Sequence, residues 1–280
     1  MTSIIPKKIA IINDMAGFGR CSMAVALPVI SACKIQACPV PTSIFSNHTG
    51  FPTHYMKDLT EFMNPYFEGW NQLHLKFDGI LCGFLSSISQ MDYINTYLDS
   101  SLHNANSPII VIDPVMGDHG KAYKTITPDF CLHMKQFIQK ASILTPNITE
   151  ACLLTDTPYK ESLWSESDLL LLAEKLQHMG PQKIVITGIK DSTNFYNFIY
   201  ENESTHSTYT TPIAGASRPG TGDIFASILS ALSVRDFNFT VAVQIAADFI
   251  AAAIKASSEA NIPIAEGVIF EMFLDTLTKL

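Results

Sequence analysis

The chain has 280 residues, 47% hydrophobic and 16% charged, which fills a sizeable core and is too apolar for a disordered chain. A formal net charge of −8 argues against a nucleic-acid or anionic-membrane surface. Six cysteines without a CxxC pair read as free thiols of a reducing compartment, and eight histidines show no HExxH or similar zinc spacing.

The start, Met1 to Lys8, is short and leads into a strand-like run, so no signal peptide is expected and the compartment reads as cytoplasmic. Lys8 to Asn13 (KIAIIN) predicts a buried strand. Asp14 and the loop Met15 to Arg20 follow, then a helix over Cys21 to Ala32. Gly17-Phe18-Gly19 begins a dinucleotide fingerprint but lacks its third glycine. The other reading is that Asp14 and the loop touch a substrate at the carboxyl end of the first strand, where open α/β sheets bind ligands. Ile35 to Pro41 predicts a strand ended by its prolines, and Thr42 to Phe45 a second short one. Ser46 to Pro52 (SNHTGFP) is a donor-rich loop flanked by Phe45 and Phe51, suited to a flat polar ring. Between Thr53 and Leu75 two helices are predicted, broken near Asn64-Pro65.

Asp78 to Phe84 predicts a strand, Ile88 to Leu102 a helix, and Pro108 to Ile112 a strand that ends in Asp113. An acid at the tip of a buried strand is a ligand position in α/β sheets and, equally, a turn aspartate. Gly117 to Tyr123 (GDHGKAY) predicts a glycine-rich flap. Its Gly-x-x-Gly-Lys is two residues short of a Walker A loop and no Ser or Thr follows Lys121. HRD and DFG are absent too, so a kinase here is neither of the P-loop nor of the protein-kinase type.

Asp129 to Lys140 predicts a helix and Ser142 to Leu144 a strand, which runs into Thr145-Pro146-Asn147-Ile148-Thr149-Glu150 and a helix to Leu154. Asn147 and Glu150 share a face at that helix start; the spacing fits a capping box and fits equally a polar pair facing hydrated magnesium. A helix over Glu166 to Met179, a strand over Lys183 to Thr187 closed by Thr187-Gly188, and a hairpin of Phe195 to Tyr200 with Ser207 to Thr211 follow. Helices over Gly222 to Val234, Asn238 to Ser257 and through Phe270 to Thr278 end the chain. No apolar run is expected to span a bilayer; the nearest, Ile245 to Ile254, is interrupted by Asp248. Strands alternating with helices predict one domain, residues 1–280, with a mostly parallel sheet covered on both faces.

Ser217 to Ser227 (SRPGTGDIFAS) carries the sharpest signal. A glycine turn runs straight into an apolar helix, whose first amides lack intrahelical partners and make an anion site. Asp223 at the joint would repel a phosphate unless it takes a proton from whatever attacks that phosphate; otherwise it is a helix-capping acid.

Ser217-Arg218-Pro219-Gly220-Thr221-Gly222-Asp223 resembles the GTGD anion-hole motif of the ribokinase superfamily. Asp113-Pro114-Val115-Met116-Gly117, Thr145-Pro146-Asn147-x-x-Glu150 and Phe45-Ser46-Asn47-His48-Thr49 resemble the pyridoxal (vitamin B6) kinases within it, and the motifs stand in order over nearly the whole chain. The resemblance implies a ribokinase-like three-layer α/β/α sandwich and an ATP-dependent kinase acting on the 5'-hydroxymethyl group of pyridoxal, pyridoxine or pyridoxamine. It gives Asp223 the role of general base, with Gly220, Thr221 and Gly222 as the anion hole. It sets Asp14, Thr49, Gly50 and Asp223 against the substrate, and Asp113, Thr145, Asn147, Glu150, Thr187 and Gly188 around ATP. Asp113, Asn147 and Glu150 would hold Mg2+, directly or through water. Mg2+ with ATP is the implied cofactor, optionally with a monovalent cation such as K+, and a homodimer the implied assembly, without nucleic acid or membrane.

Many of these kinases carry serine in place of Asp14, which leaves the vitamer open and keeps a hydroxymethylpyrimidine kinase as the alternative. An anion hole ending in Asp223 and the Asn47-His48-Thr49 run favour the pyridoxal kinases. A catalytically silent pyridoxal phosphate or nucleotide-binding protein is a third reading, against which Asp223, Asn147 and Glu150 argue.

Overall fold

The computed structural model describes residues 5–102 and 107–280; the first half of the Met1 to Lys8 start lies outside them. The chain opens with β1 (Lys8–Ala16), α1 (Ser22–Ala32), β2 (Gln36–Phe45), β3 (Met56–Asp58) and α2 (Thr60–Gln72). It continues through β4 (Gly79–Cys82), α3 (Ile88–Leu102), β5 (Ile109–Ile112) and a short hairpin of β6 (Gly117–Asp118) with β7 (Lys121–Ala122). Next come α4 (Pro128–Phe137), β8 (Ile143–Leu144), α5 (Ile148–Thr155), α6 (Glu166–His178) and β9 (Lys183–Lys190). The antiparallel pair β10 (Asn194–Asn202) and β11 (Thr205–Pro212) precedes α7 (Thr221–Val234), α8 (Phe239–Glu259) and α9 (Leu274–Thr278).

Among the described residues nine strands form one sheet in the order β11-β10-β9-β8-β5-β4-β1-β2-β3, parallel from β9 to β2 and antiparallel at both edges. The pleat sends alternate residues to opposite faces. Ala10, Ile12, Ile80 and Ile112 pack beneath α2 to α6, against Met63, Met91, Met134 and Leu172. Ile9, Ile11, Leu81 and Val111 pack beneath α1, α7 and α8, against Val29, Ile228 and Ala246. Two cores on one sheet give three layers, helix over sheet over helix, as expected for the ribokinase-like fold.

Three expectations are corrected. Gln36 to Phe45 is one strand, because Pro39 and Pro41 do not end it. β3 covers only Ser43 to Phe45 of β2, so along residues 36–42 the outer edge is open and a missing N–H is tolerated there. Pro65 does not break a helix: α2 runs through it, held to the core by Met63 and Phe67 on either side, while Met56 to Asp58 form a strand. Finally, α8 is 21 residues and, by length and composition, long and apolar enough to cross a membrane. Here Ala242, Val243, Ala246 and Ala253 are fully buried against the sheet and α7, so its length serves the core.

Candidate active site

The carboxyl ends of the parallel strands meet along one edge, and β1, β5, β8 and β9 contribute the polar residues Asn13, Asp14, Asp113, Thr145 and Thr187 there. In β1 the register with β2 slips between Asn13 and Met15, so Asp14 is a bulge residue with no strand partner. Asn13, one residue earlier, is 2% exposed and links three segments. Its Oδ1 accepts the amides of Asp14 and Phe84, both at 2.9 Å, and its Nδ2 donates to Asp223 Oδ1 at 3.1 Å. A side chain on Gly83 would strike this carboxamide at 2.6 Å, which explains the glycine that ends β4. In the sequence Asn13 reads as the last letter of an apolar run, and a polar residue closing such a run is the available signal.

The helix α7 starts at Gly220, which has φ +82°. A Cβ there would lie 1.8 Å from the Arg20 carbonyl oxygen, so only glycine allows the turn to lie on the first loop. Ile224 N returns to Gly220 O at 3.0 Å, while the amides of Thr221, Gly222 and Asp223 open the helix with no backbone acceptor among the described residues. Arg218, 6% exposed, pins the turn from below: its Nη1 donates to Pro263 O and Gly267 O, each at 3.1 Å. Arg20 binds the same segment through its Nε to Glu271 Oε1 at 2.7 Å and its amide to Glu266 O at 3.2 Å.

Asp113 follows β5 directly. Thr145 Oγ1 donates to its Oδ1 at 3.0 Å, and its Oδ2 faces the turn, 3.6 Å from the position of a Cβ on Gly222. Asn147 and Glu150 form the complete capping box of α5. Asn147 Oδ1 accepts the amides of Thr149 and Glu150, and Glu150 Oε2 accepts the Asn147 amide at 2.8 Å. Glu150 Oε1 accepts Met116 N at 3.1 Å, and Asn147 Nδ2 donates to Gly117 O at 2.8 Å. The predicted flap is thus a hairpin hung on the first turn of α5, and Gly120 N adds a bond to Thr149 Oγ1 at 2.9 Å. Thr187 pairs with Asn147 in an isolated bridge, and β9 continues past Thr187-Gly188 rather than ending there.

These groups line a cavity of about 990 Å³. At one end stand Asp14, Phe45, His48, Thr49, Phe51 and Phe84; at the other stand Thr187, Gly188, Asn197, Thr211 and the α8 side chains Ala247, Ala251 and Ile254. Asp113, Thr145, Asn147, Glu150 and the Gly220 to Asp223 turn join the two ends. The predicted residues are therefore gathered in one place, except that Gly50 does not line the wall. Its amide donates to His48 Nδ1 at 3.0 Å, while His48 Nε2 donates to Ala265 O at 2.6 Å, which fixes one ring tautomer. His48 stacks near Phe51 with centroids 4.7 Å apart.

Four carboxyls, Asp14, Asp113, Glu150 and Asp223, share this cavity, and among the described residues no lysine or arginine forms an ion pair with any of them. Burial pushes Asp14 up to about 7, helped by the charge of Asp223 and opposed by the Ser22 hydroxyl. Burial also pushes Asp113 up to about 7, again with Asp223 adding to it and Thr145 opposing. Glu150 is lifted well above the carboxylate range by burial and by Asp113, against the backbone amides of Asn147 and Met116. Asp223 is raised by burial, against the Ser22 amide and Asn13. Crowded acids of this kind suit a cation.

The donor set fits Mg2+ in its usual form, with retained waters, one or two carboxylates and substrate phosphate. Asp113 Oδ2 has no protein partner among the described residues, whereas Asn147 Oδ1 already accepts two amides and Glu150 two more. Among the described residues no group of three His, Cys, Asp or Glu side chains forms a metal cage.

Comparison with known proteins bears on this site. A family model described as phosphomethylpyrimidine kinase matches residues 26–267. The crystal structure of a Bacteroides thetaiotaomicron protein, described as a candidate phosphomethylpyrimidine kinase, superposes with a TM-score of 0.93 at 32% identity, covering 99% of this chain and 96% of that one. A second crystal form of that protein, with pyridoxal, gives 0.92 and 31%, covering 98% and 96%. Pyridoxal kinase from Lactobacillus plantarum gives a TM-score of 0.89 at 27% identity over 98% of this chain and 97% of its own. Pyridoxal kinase from Arabidopsis thaliana is 35% identical over 156 residues, 54% of this chain and 48% of its own, so the match spans about half that relative's length.

Proposed function

The chain belongs to the phosphomethylpyrimidine kinase family, within the pyridoxal-kinase group of the ribokinase superfamily, and we propose that it transfers the γ-phosphoryl group of ATP to the 5'-hydroxymethyl group of a B6 vitamer. One observation carries the reading. Asp223 sits at the open start of α7, held by Asn13, with Asp14 on one side and Asp113 on the other.

The vitamer ring would occupy the aromatic end, against Asp14, Phe45, His48 and Thr49, with its hydroxymethyl group toward Asp223. ATP would occupy the other end, its terminal phosphate at the Gly220 to Asp223 turn. The hydroxyl oxygen attacks the γ-phosphorus, its proton passes to the Asp223 carboxylate, and the bond to the bridging oxygen breaks to release ADP. A carboxyl raised by burial is a better proton acceptor than one in water. The free amides of Thr221, Gly222 and Asp223 take up charge on the phosphoryl oxygens, as preorganised donors do elsewhere. Asp113, with Glu150 through water, would hold Mg2+, which when bound neutralises the phosphates. Asn147 and Thr187 would serve ATP through the capped turn and the bridge that join α5 to β9.

Asp14 supports a second reading, a hydroxymethylpyrimidine kinase. Its carboxyl suits a ring nitrogen or amine, and the Bacteroides thetaiotaomicron protein carries that family description while its crystals hold pyridoxal. An ATP-consumption assay with pyridoxal, pyridoxine, pyridoxamine and hydroxymethylpyrimidine decides. Turnover of at least one vitamer is expected. Exclusive turnover of the pyrimidine selects the second reading, and turnover of none defeats both. Asp223→Asn keeps the size but not the basicity, so it should lose at least about a hundredfold in kcat while ADP still binds. Full activity in that variant would remove Asp223 from the role of base.

A further inference from the structure

The far end of the cavity contains two buried polar groups that the phosphoryl chemistry does not use. Asn197, on β10, is 9% exposed, and its carboxamide bonds no protein group among the described residues. Thr211, on β11, is 6% exposed, and its hydroxyl is also without a protein partner among the described residues. Their polar atoms open onto the cavity rather than being sealed in protein, so they are placed to bond whatever enters it. Two such groups on one wall need an explanation.

Their direction follows from the strand register. Phe198 packs in the core beneath α2 to α6 and Ile199 in the core beneath α7 and α8. Asn197 is two residues from Ile199, so it faces α8. Asn197 pairs with Tyr209, and Thr211 is two further along β11 on the same face, within reach of the same small ligand. Both line the cavity opposite Ala247, Ile250, Ala251 and Ile254 of α8. The α8 side is apolar, with two alanines where larger side chains would fill the slot. Such a wall can sandwich any base, since every base has a π-face, but it cannot tell one base from another.

We infer that the Asn197 carboxamide, assisted by the Thr211 hydroxyl, reads the base of the phosphoryl donor and sets its preference for adenine over guanine. A carboxamide presents one acceptor and one donor side by side. Adenine offers the matching pair at its N6 amino group and N7, whereas guanine shows two acceptors, O6 and N7, on that edge. The inference rests on the reading that ATP is the donor and names the residue that selects it.

Calorimetric binding of ADP and GDP to the folded parent, Asn197→Leu and Thr211→Val tests this without any vitamer. The parent should prefer ADP. Asn197→Leu should weaken ADP roughly tenfold, leave GDP nearly unchanged and so bring the ratio toward one. Thr211→Val should move it less in the same direction. The carboxamide bonds no protein group among the described residues, so Leu should leave the ligand-free Tm unchanged or raise it, an outcome a merely structural Asn would not give. If Asn197→Leu does not fold, Asn197→Asp serves, because it keeps the shape and loses the donor. An unchanged ADP-to-GDP ratio in the folded variant, or a parent without preference, would overturn the inference. Intact discrimination beside failed vitamer turnover would instead count against the proposed substrate alone.

Discussion

Asp14 shows how a single side chain couples stability to pH. Its ordinary value is 3.8 and burial holds it near 7 in the folded chain. Between those values the folded chain keeps a proton that the unfolded chain has lost, so the group's contribution to stability falls as pH rises and levels off above about 7. Asn cannot ionise and escapes this loss. Asp14→Asn should therefore be more stable than the parent at neutral pH, with its advantage growing by roughly 2 kcal/mol between pH 5 and pH 8. Thermal melts at the two pH values measure it, and a constant difference would mean that Asp14 is not buried as a strained acid. Gly220 is the opposite case, a position defined by shape. Any Cβ meets the Arg20 carbonyl at 1.8 Å and the φ of +82° disfavours other residues. Gly220→Ala should displace the turn and cut kcat by about a hundredfold, the scale of losing an oxyanion donor. Steady-state kinetics beside a circular dichroism spectrum separates that loss from unfolding. Gly220 and Asp223 were legible because their chemistry is local. Asn13 was not, because its partners lie 71 and 210 residues away.

The element least legible in the sequence is the start of α5. The sequence leaves Asn147 and Glu150 open between a cap and a metal pair, since both use one face of a helix start. The structure shows every cap bond made and, in addition, the Asn147 amide holding Gly117 in the β6–β7 hairpin. Asn147 thus joins a helix start to the hairpin over the cavity. Asn147→Ala should cost about 1–2 kcal/mol for the cap and raise the KM for ATP as the hairpin loosens. Asn147→Asp keeps the acceptor for the cap amides but loses the donor to Gly117. It should recover most of the stability and little of the KM. Chemical denaturation paired with ATP kinetics checks this, and joint recovery of both would show that the hairpin bond is idle. The misread elements share a cause. Pro39, Pro41 and Pro65 are breakers only where an N–H is required, and an open strand edge or a face anchored by Met63 and Phe67 removes that requirement.

Across the molecule, the alternation of apolar runs with helical patterns made the layered sheet readable, and the acids at strand tips made one edge of it readable as a site. What stayed hidden is the segment from Pro263 to Glu271, which crosses beneath both glycine loops. Its acceptors are mostly main-chain carbonyls, which leave no mark in a sequence. His48 reaches Ala265 O, Arg20 reaches Glu266 O, and Arg218 reaches Pro263 O and Gly267 O. Val268 and Phe270 bury the same segment in the core beneath α8. The Gly220 to Asp223 turn is therefore fixed from a part of the chain 40 residues or more away, and Arg218 is the tie. Arg218→Ala removes that tie and leaves two carbonyls without their donor, at a cost of roughly 2 kcal/mol. For a chain of this length the Tm should fall by several degrees, at about 2–4 °C per kcal/mol. If the tie also holds the amides of Thr221, Gly222 and Asp223 on the transferring phosphoryl group, kcat should fall by tenfold or more while the KM for ATP changes little, because those amides act most strongly as charge moves in the transition state. A lowered Tm with unchanged kcat would reduce Arg218 to a packing residue. A lowered kcat with ADP affinity preserved would establish that the C-terminal segment positions the catalytic turn.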